Sequence, residues 1–312
     1  MQNMTGRALL ILLVIFIFNL SCSKRGTDPG DDNGDNNGPE PPLVEQVGSD
    51  ETFEIATWNI EQFPKATDTR TTLQKIIEQL DIDLIAVEEI VGTSSFNTMI
   101  NDMEGWDGVL NSYPPQYPGY QRTGIIYKSQ MFSVSNVRYI LNQYEYEFAS
   151  RPPFAAYVEL RDTTNTTILD FNIIVVHLKA RDDGADRRRK SIEYLEQYVR
   201  DEISAGADPD FIILGDWNDQ LDDPPNYNVF KAFKDKPSDY RFLTSSILNE
   251  YSYLIDPYKT LIDHIMITTS LSGKYGQGKT EALKLEQQYG QYISVVSDHR
   301  PVVSIFKGFS VN

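Results

Sequence analysis

Apolar residues follow strand-like and helix-like patterns along most of the chain. Continuous or alternating apolar runs predict strands at residues 53–59, 83–90, 154–160, 168–177, 211–214, 260–267 and 293–303. Apolar side chains at every third or fourth position predict amphipathic helices at residues 69–80, with Asp68 or Thr69 as the cap, and at residues 187–199. Strands that alternate with helices predict an α/β fold, whose chemistry gathers where the strands end.

The pattern is weaker in three other regions. Residues 96–120 predict a helix and then a long loop, because aromatic residues, prolines and glycines interrupt any period. Residues 124–127 and 132–141 predict two strands that pair across the turn at residues 128–131. A short helix is expected near residues 227–234.

The first 22 residues predict export. Arg7 precedes an unbroken apolar run at residues 8–18, which is too short for a confident membrane span and is typical of a signal peptide. The segment resembles a bacterial lipoprotein signal, which implies that Cys22 is lipidated and anchors the chain to a membrane of the cell envelope. Asn19 departs from that pattern and leaves ordinary signal cleavage open. Cys22 is also the only cysteine, so no disulfide framework is expected.

Residues 23–50 predict a disordered acidic linker, because they are rich in Asp, Asn, Gly and Pro and lack an apolar period. Asp31, Asn33 and Asp35 partly resemble a calcium loop, but Asn36 replaces the glycine that such a loop requires. The remaining domain, residues 51–312, carries 25 basic and 38 acidic residues, a net charge of −13. It is a poor non-specific nucleic-acid binder unless positive charge is concentrated locally.

Polar residues follow the predicted strands. They are Asn59, Glu88, Glu89, His177, Asp216, Asn218, Asp263, Asp298 and His299. Taken alone, the stretch from Gly215 to Asn218 fits a polar turn as well as a site. Neighbouring strand residues face opposite ways, so one of the two glutamates faces the strand ends, and its position favours Glu89. All three histidines, His264 included, lie at or near the end of an apolar run, which favours catalysis.

This set of residues indicates chemistry on phosphate esters. Oxygen ligands predominate, which favours a hard cation such as Mg²⁺ or Mn²⁺, with Ca²⁺ as a further possibility. A histidine oriented by an aspartate removes a proton from water. Arg151 lies before two prolines on a rigid bend, where it suits phosphate binding as well as it suits a charged surface. The basic stretch at residues 187–190 fits a solvated helix start or a phosphate contact equally.

Together these motifs resemble the endonuclease/exonuclease/phosphatase superfamily over residues 53–307. The resemblance rests on Trp58-Asn59, Glu88-Glu89, His177, Gly215-Asp216-Trp217-Asn218, Asp263-His264 and Ser297-Asp298-His299-Arg300-Pro301. The segment around Arg151 resembles the phosphate-contacting segment of the deoxyribonuclease I-like branch. In that branch a glutamate supports the first histidine, and this sequence has no such glutamate around Gln121 and Arg122.

The resemblance implies a four-layer α/β sandwich, with two central, mostly antiparallel sheets flanked by helices. It also implies roles for the site residues. Asn59 and Glu89 would bind the metal with Asp298 nearby, while Asp216 and Asn218 would hold the nucleophile and the phosphate. Asp263 would orient His299 as the general base. His177 would stabilise the phosphate or protonate the leaving oxygen, and Arg151 would contact the substrate.

The expected function is therefore that of a metal-dependent DNA or RNA endonuclease, exported and tethered. We expect a monomer, with nucleic acid as its substrate and no indicated protein partner. The alternative is hydrolysis of phospholipid head groups or inositol phosphates, which the acidic domain permits. A surface lipoprotein that binds without catalysis is a further alternative, but it predicts lost ligands and none is lost.

Overall fold

A computed structural model describes residues 41–309. Two six-stranded sheets dominate it. The strands are β1 (Phe53–Phe63), β2 (Leu84–Ile90), β3 (Trp106–Leu110), β4 (Arg122–Lys128), β5 (Phe132–Tyr139), β6 (Phe154–Arg161), β7 (Thr167–His177), β8 (Phe211–Asp216), β9 (Tyr240–Phe242), β10 (Asp263–Thr268), β11 (Lys279–Ala282) and β12 (Val302–Phe306). The first sheet has the order β11-β12-β1-β2-β4-β3, and the second has the order β5-β6-β7-β8-β10-β9.

Helices flank the two sheets. They are α1 (Thr69–Leu80), α2 (Thr93–Asp102), α3 (Ala185–Ser204), α4 (Lys231–Lys234), α5 (Ser272–Tyr275) and α6 (Tyr292–Val295). One apolar core lies between the sheets, a second packs α1 and α2 on the first sheet, and a third packs α3 and α4 on the second sheet. The predicted α/β sandwich is confirmed.

One parallel pair of strands lies at the centre of each sheet. β1 pairs with β2 and β7 pairs with β8 in parallel, while all other strand pairs of the described chain are antiparallel. β1 and β2 contact β8 across the central core. The carboxyl ends of these four strands therefore form one edge of the sandwich, which we call the rim.

The predicted hairpin between residues 124–127 and 132–141 is wrong. β4 pairs with β2 and β3 in the first sheet, whereas β5 pairs with β6 in the second. The connection between β4 and β5 crosses from one sheet to the other, because both strands need an apolar face against the central core. The sequence also gave no sign of β3, whose residues are only partly buried.

Residues 43–48 differ from the predicted linker, because they pack on the folded domain. Val44 is buried in the core beneath the first sheet. Gln79 Oε1 accepts hydrogen bonds from the backbone N–H groups of Leu43 and Val44, at 2.8 and 3.2 Å. The domain therefore begins before residue 51. The predicted signal, Cys22 and residues 23–40 lie outside the described residues. Within the described part, no helix combines the length and apolarity needed to cross a bilayer.

Candidate active site

The four central parallel strands bring Asn59, Glu89, His177 and Asp216 to the rim. Two features of the backbone shape this edge. Glu89 has a positive φ of 64°, at a register shift between β2 and β4. Gly215 approaches β7 so closely that an added Cβ would lie 2.0 Å from the carbonyl oxygen of Val176. Only glycine fits there, so the close packing of β7 and β8 fixes the position of Asp216.

Asn59 links the two sheets at the rim. Its Nδ2 donates to Glu89 Oε1 at 3.2 Å and to Asp216 Oδ2 at 3.1 Å. Its Oδ1 accepts from the backbone N–H of Glu61 at 3.0 Å. The same two carboxylates lie near His177, whose Nε2 is 3.8 Å from Glu89 Oε1 and 3.7 Å from Asp216 Oδ2. The structure thus brings these four predicted site residues into one cluster.

Asp263 and His299 form a buried pair beside this cluster. Asp263 Oδ2 lies 2.8 Å from His299 Nδ1, and both side chains are buried. Ser297 Oγ donates to Asn59 O at 2.6 Å and accepts from the backbone N–H of His299 at 2.9 Å, which attaches the histidine segment to β1. The ring of Tyr253 packs against His299 with a centroid distance of 5.1 Å. The imidazole is therefore held on several sides.

Negative charge is crowded at the rim. Burial, reinforced by the charge of Asp263, raises the pKa of Asp216 to about 7. Burial also raises the pKa of Asp298 to about 6, against the opposing charge of His299. Burial opposes a charged His299, but the charge and hydrogen bond of Asp263, together with Asp216 and Asp298, raise the pKa of His299 to about 10. Among the described side chains, no lysine or arginine forms an ion pair with Glu89, Asp216, Asp263 or Asp298.

His177 is the neutral histidine of the site. Burial, followed by the charge of Arg151, lowers the pKa of His177 well below its usual range. Its Nδ1 is buried without a hydrogen-bond partner in the described structure. Arg151 lies behind it and donates from Nε to His177 O at 3.1 Å, from Nη2 to Leu178 O at 3.0 Å and from Nη1 to Gln121 Oε1 at 3.0 Å.

The other two predicted residues also lie at the rim. Asn218 has a φ of 53°, and its backbone N–H donates to Asp216 Oδ1 at 3.0 Å while Nδ2 donates to Leu178 O at 3.2 Å. Asp298 Oδ1 lies 3.9 Å from His299 Nε2. Its backbone N–H donates to Glu61 Oε2 at 2.8 Å. Glu61 and Tyr253 were not predicted, because Glu61 follows the predicted strand and Tyr253 is a single aromatic residue in a loop.

The two glutamates at the end of β2 face different surroundings. Glu88 is buried and accepts a hydrogen bond from Thr57 Oγ1 at 3.0 Å, whereas Glu89 is partly exposed at the rim. Burial, with the charges of Asp263 and Asp216, raises the pKa of Glu88 well above its usual range. Burial therefore disfavours the charged form of Glu88 beneath the site.

Two buried residues have structural roles: His264, which its position in the sequence linked to catalysis, and Arg188, for which the sequence left a solvated helix start and a phosphate contact equally open. His264 is buried, its Nε2 lies 2.9 Å from Asp219 O, and its Nδ1 lies 3.1 Å from Thr244 Oγ1. Burial lowers its pKa to about 4, so it is a neutral core residue and not part of the site. Arg188, from the basic stretch, is also buried and pairs with Asp219 at 2.7 Å. It is neither a solvated residue nor a phosphate contact.

The donor set fits a hard divalent cation. Asp216, Asp263 and His299 each offer one atom, and these atoms lie within 4.8 Å of one another. Asp263 and His299 already bond to each other within that group, so the carboxylates of Glu89 and Asp216 are better placed for an ion. Asn59 presents its amide nitrogen to them and would have to turn its amide over to offer oxygen. The excess of buried carboxylates over cations supports the fit.

Comparisons with known proteins agree with this geometry. The profile described as "Endonuclease/Exonuclease/phosphatase family" matches residues 56–299. No curated protein matches the chain. Similar solved structures include an endonuclease/exonuclease/phosphatase family protein from Bacteroides thetaiotaomicron, with 15% identity and a TM-score of 0.57, covering 82% of this chain and 95% of that chain.

Two further solved structures share the fold. TDP2 from D. rerio, complexed with a single strand DNA product, has 14% identity and a TM-score of 0.59, covering 82% of this chain and 98% of that chain. A mannosyl-6-phosphatase from Bacteroides thetaiotaomicron has 15% identity and a TM-score of 0.54, covering 81% and 98%. At such identities the likeness concerns the fold, while the profile match spans most of the domain. The chain therefore belongs to the Endonuclease/Exonuclease/phosphatase family, a superfamily of metal-dependent phosphoesterases.

Proposed function

We propose that the protein is a metal-dependent endonuclease that cleaves phosphodiester bonds of DNA or RNA. The observation that carries this proposal is the buried Asp263–His299 pair. It lies beside the cluster in which Asn59 joins Glu89 of the first sheet to Asp216 of the second. A histidine oriented by a carboxylate, next to oxygen ligands and amide donors, is the equipment for attack of water on phosphorus.

Each residue then has a separate task. Asp263 orients His299, which takes the proton from the attacking water. Asp216 and Asn218 position the water and the phosphate. The low pKa of His177 keeps this residue neutral, so it donates a hydrogen bond from Nε2 to the phosphate. Glu89, Asp216 and Asn59, with Asp298, would hold Mg²⁺ or Mn²⁺. The bound cation would offset the carboxylate charges that raise the pKa of His299 and would stabilise charge on the phosphate oxygens.

Local positive charge supports a polyanionic substrate. Arg151 bonds to the carbonyl oxygen of His177, and three of its five N–H donors are engaged within the described structure, which leaves two for a phosphate oxygen. Apart from the buried Arg188, residues 179–190 carry five basic and three acidic residues, in a chain that is otherwise strongly acidic. TDP2, a similar fold, has been solved with single strand DNA, although the fold also occurs in a mannosyl-6-phosphatase.

A substrate panel tests the proposal. Plasmid DNA, an RNA oligonucleotide, sphingomyelin and inositol phosphates are incubated with the wild type in Mg²⁺ and in chelator, and with His299→Ala. We expect Mg²⁺-dependent cleavage of nucleic acid that weakens steeply with salt. Hydrolysis of the lipid or inositol phosphates alone, with little salt dependence, would replace this proposal by the phosphatase alternative. Full plasmid cleavage by His299→Ala would contradict the assigned roles.

We also propose that the chain is exported and anchored through Cys22. Arg7, the apolar run at residues 8–18 and Cys22 itself support this proposal. Radiolabelled fatty acid fed to bacteria that express the full chain should label the wild type and not Cys22→Ala, and only the wild type should fractionate with membranes. An unlabelled wild type, or a variant that stays in the membrane fraction, would contradict the anchor.

A further inference from the structure

An ordered segment near the rim presents an exposed aromatic ring. Tyr146 is 68% exposed. The backbone around it is closed by hydrogen bonds from Ala149 N to Tyr146 O at 3.1 Å and from Ser150 N to Glu145 O at 2.7 Å. Phe148, two residues further, is fully buried. The exposure of Tyr146 is therefore a feature of a well-fixed segment and not the result of loose packing.

Arg187 supports this ring. Its guanidinium carbon lies 4.3 Å from the ring centroid of Tyr146, and Nη2 donates to the carbonyl oxygen of the same residue. Its Nε is buried without a hydrogen-bond partner in the described part of the chain. A cation packed on an aromatic face holds the ring in one orientation and adds positive charge beside it. Since Tyr146 is mostly exposed, much of its surface remains accessible to a ligand.

The ring and the guanidinium are both attached to the site. Arg151, five residues after Tyr146, donates to the carbonyl oxygens of His177 and Leu178. Arg188, next to Arg187, pairs with Asp219, three residues after Asp216. The segment with Tyr146 and the start of α3 are thus fixed to the loops that follow the two central strands of the second sheet. These contacts attach Tyr146 and Arg187 to the side of the rim that β7 and β8 form.

Positive charge around α3 is mostly paired. Lys179, Arg189 and Lys190 each lie within 4.0 Å of a carboxylate, whereas Arg187 makes no ion pair with a carboxylate of the described side chains. A planar ring next to such an arginine suits a ligand that is planar and also carries negative charge. A nucleotide meets both conditions.

We propose that Tyr146 and Arg187 form a stacking subsite for one nucleobase of a single-stranded substrate, next to the scissile phosphate. This inference rests on the proposed nuclease function. Base stacking on an aromatic side chain is tolerant of sequence, and it requires a base that is not already stacked inside a duplex. The subsite therefore makes single-stranded DNA or RNA the preferred substrate.

An abasic substrate tests the subsite. The wild type, Tyr146→Ala, Tyr146→Phe and Arg187→Met are compared on a single-stranded oligonucleotide and on the same oligonucleotide with abasic positions. We expect Tyr146→Ala to raise KM about tenfold on the ordinary oligonucleotide, with kcat little changed. Tyr146→Phe should match the wild type, and Arg187→Met should raise KM less. On the abasic oligonucleotide the wild type should already show the raised KM, and Tyr146→Ala should add nothing.

Tyr227→Ala is the matched control, because Tyr227 is 72% exposed and the described structure shows no guanidinium over its ring. An equal rise in KM for Tyr227→Ala, or a Tyr146→Ala effect that is the same on both oligonucleotides, would overturn the subsite. If the wild type cleaves no oligonucleotide but hydrolyses another phosphate ester, the nuclease function itself fails and the subsite fails with it. Cleavage that Tyr146→Ala leaves unchanged overturns the subsite alone.

Discussion

The strands β1 and β2 have buried carboxylates near both of their ends, but the two groups differ in their compensating charge. At the end opposite the rim, Glu54 and Asp83 are buried, and Lys128 Nζ lies 2.9 Å from Asp83 Oδ1. At the rim, Glu88, Asp216 and Asp263 are buried, and the cation among them in the described structure is His299.

A perturbed pKa does not separate the two groups. Burial and the charge of Asp83 raise the pKa of Glu54 to about 7, and burial and the charge of Asp263 raise that of Asp216 to the same value. The difference lies in the partners. Glu54 accepts hydrogen bonds from Thr52 and Ser49, and Asp83 beside it pairs with Lys128. Among the described residues, no lysine or arginine pairs with Asp216 or Asp263 at the rim. The charge of Glu54 and Asp83 is therefore compensated within the protein, whereas the rim carboxylates require a bound cation.

The largest expected effect concerns the rim. His299→Ala removes the proposed base and should lower kcat by about 10³-fold. The variant also leaves Asp263 buried without its cation, so circular dichroism first checks that it is folded under the assay conditions. Cleavage of plasmid DNA in Mg²⁺, timed by the loss of supercoiled substrate, measures kcat. A loss below tenfold would show that His299 is not the base.

The opposite group should respond in stability and not in activity. Lys128→Met leaves Asp83 buried without its cation and should lower the free energy of unfolding by about 3 kcal/mol. Urea unfolding measures this change. The double variant Lys128→Met/Asp83→Asn should recover much of it, because the buried charge of Asp83 is removed as well, and Asp81, the other carboxylate partner of Lys128, is partly exposed to solvent. A tenfold fall in kcat for the folded Lys128→Met enzyme would contradict the separation of the two groups.

A divalent cation should stabilise the protein through the rim. At about one hundred times its Kd, Mn²⁺ should raise the free energy of unfolding by about 2.7 kcal/mol. Protons compete for the same oxygens, since the pKa values of Asp216 and Asp298 are about 7 and about 6. The apparent affinity for Mn²⁺ should therefore fall as the pH is lowered from 8 to 5, which calorimetric titration measures.

Without metal, the stability of the folded protein should change with pH in the opposite direction to its affinity for Mn²⁺. The raised pKa values mean that the folded state holds more protons than the unfolded chain between about pH 4 and pH 7. The free energy of unfolding should fall as the pH rises through this window. Glu54 contributes to the same fall in the free energy of unfolding. Added metal should change only the part of the fall that comes from the rim carboxylates. An unfolding free energy that rises from pH 4 to 7 in chelator would contradict these assignments.

The sequence predicted the central strands and their polar ends because burial leaves long apolar runs, as in β7 and β8. It did not predict β3, which is short and half-buried, or which sheet β5 joins, because both depend on tertiary packing. The burial of Val44 was missed for a similar reason, since a single buried residue produces no repeating apolar pattern in the sequence. At the site, residue types and positions were readable, but the contact of Glu61 with Asp298 joins residues 237 positions apart. The burial of Arg188 could not be predicted, because its partner Asp219 lies 31 positions away in the sequence.

A matched pair of neutral substitutions tests the central claim, that the rim and not the opposite group binds the catalytic metal. Glu89→Gln and Glu54→Gln each remove one carboxylate of the first sheet, and both are assayed for Mn²⁺ binding by calorimetric titration and for plasmid cleavage. Glu89→Gln should lose about 100-fold in metal affinity, with a matching loss of cleavage, and Glu54→Gln should stay close to the wild type. Wild-type Mn²⁺ binding by Glu89→Gln, or lost binding in Glu54→Gln, would contradict the account.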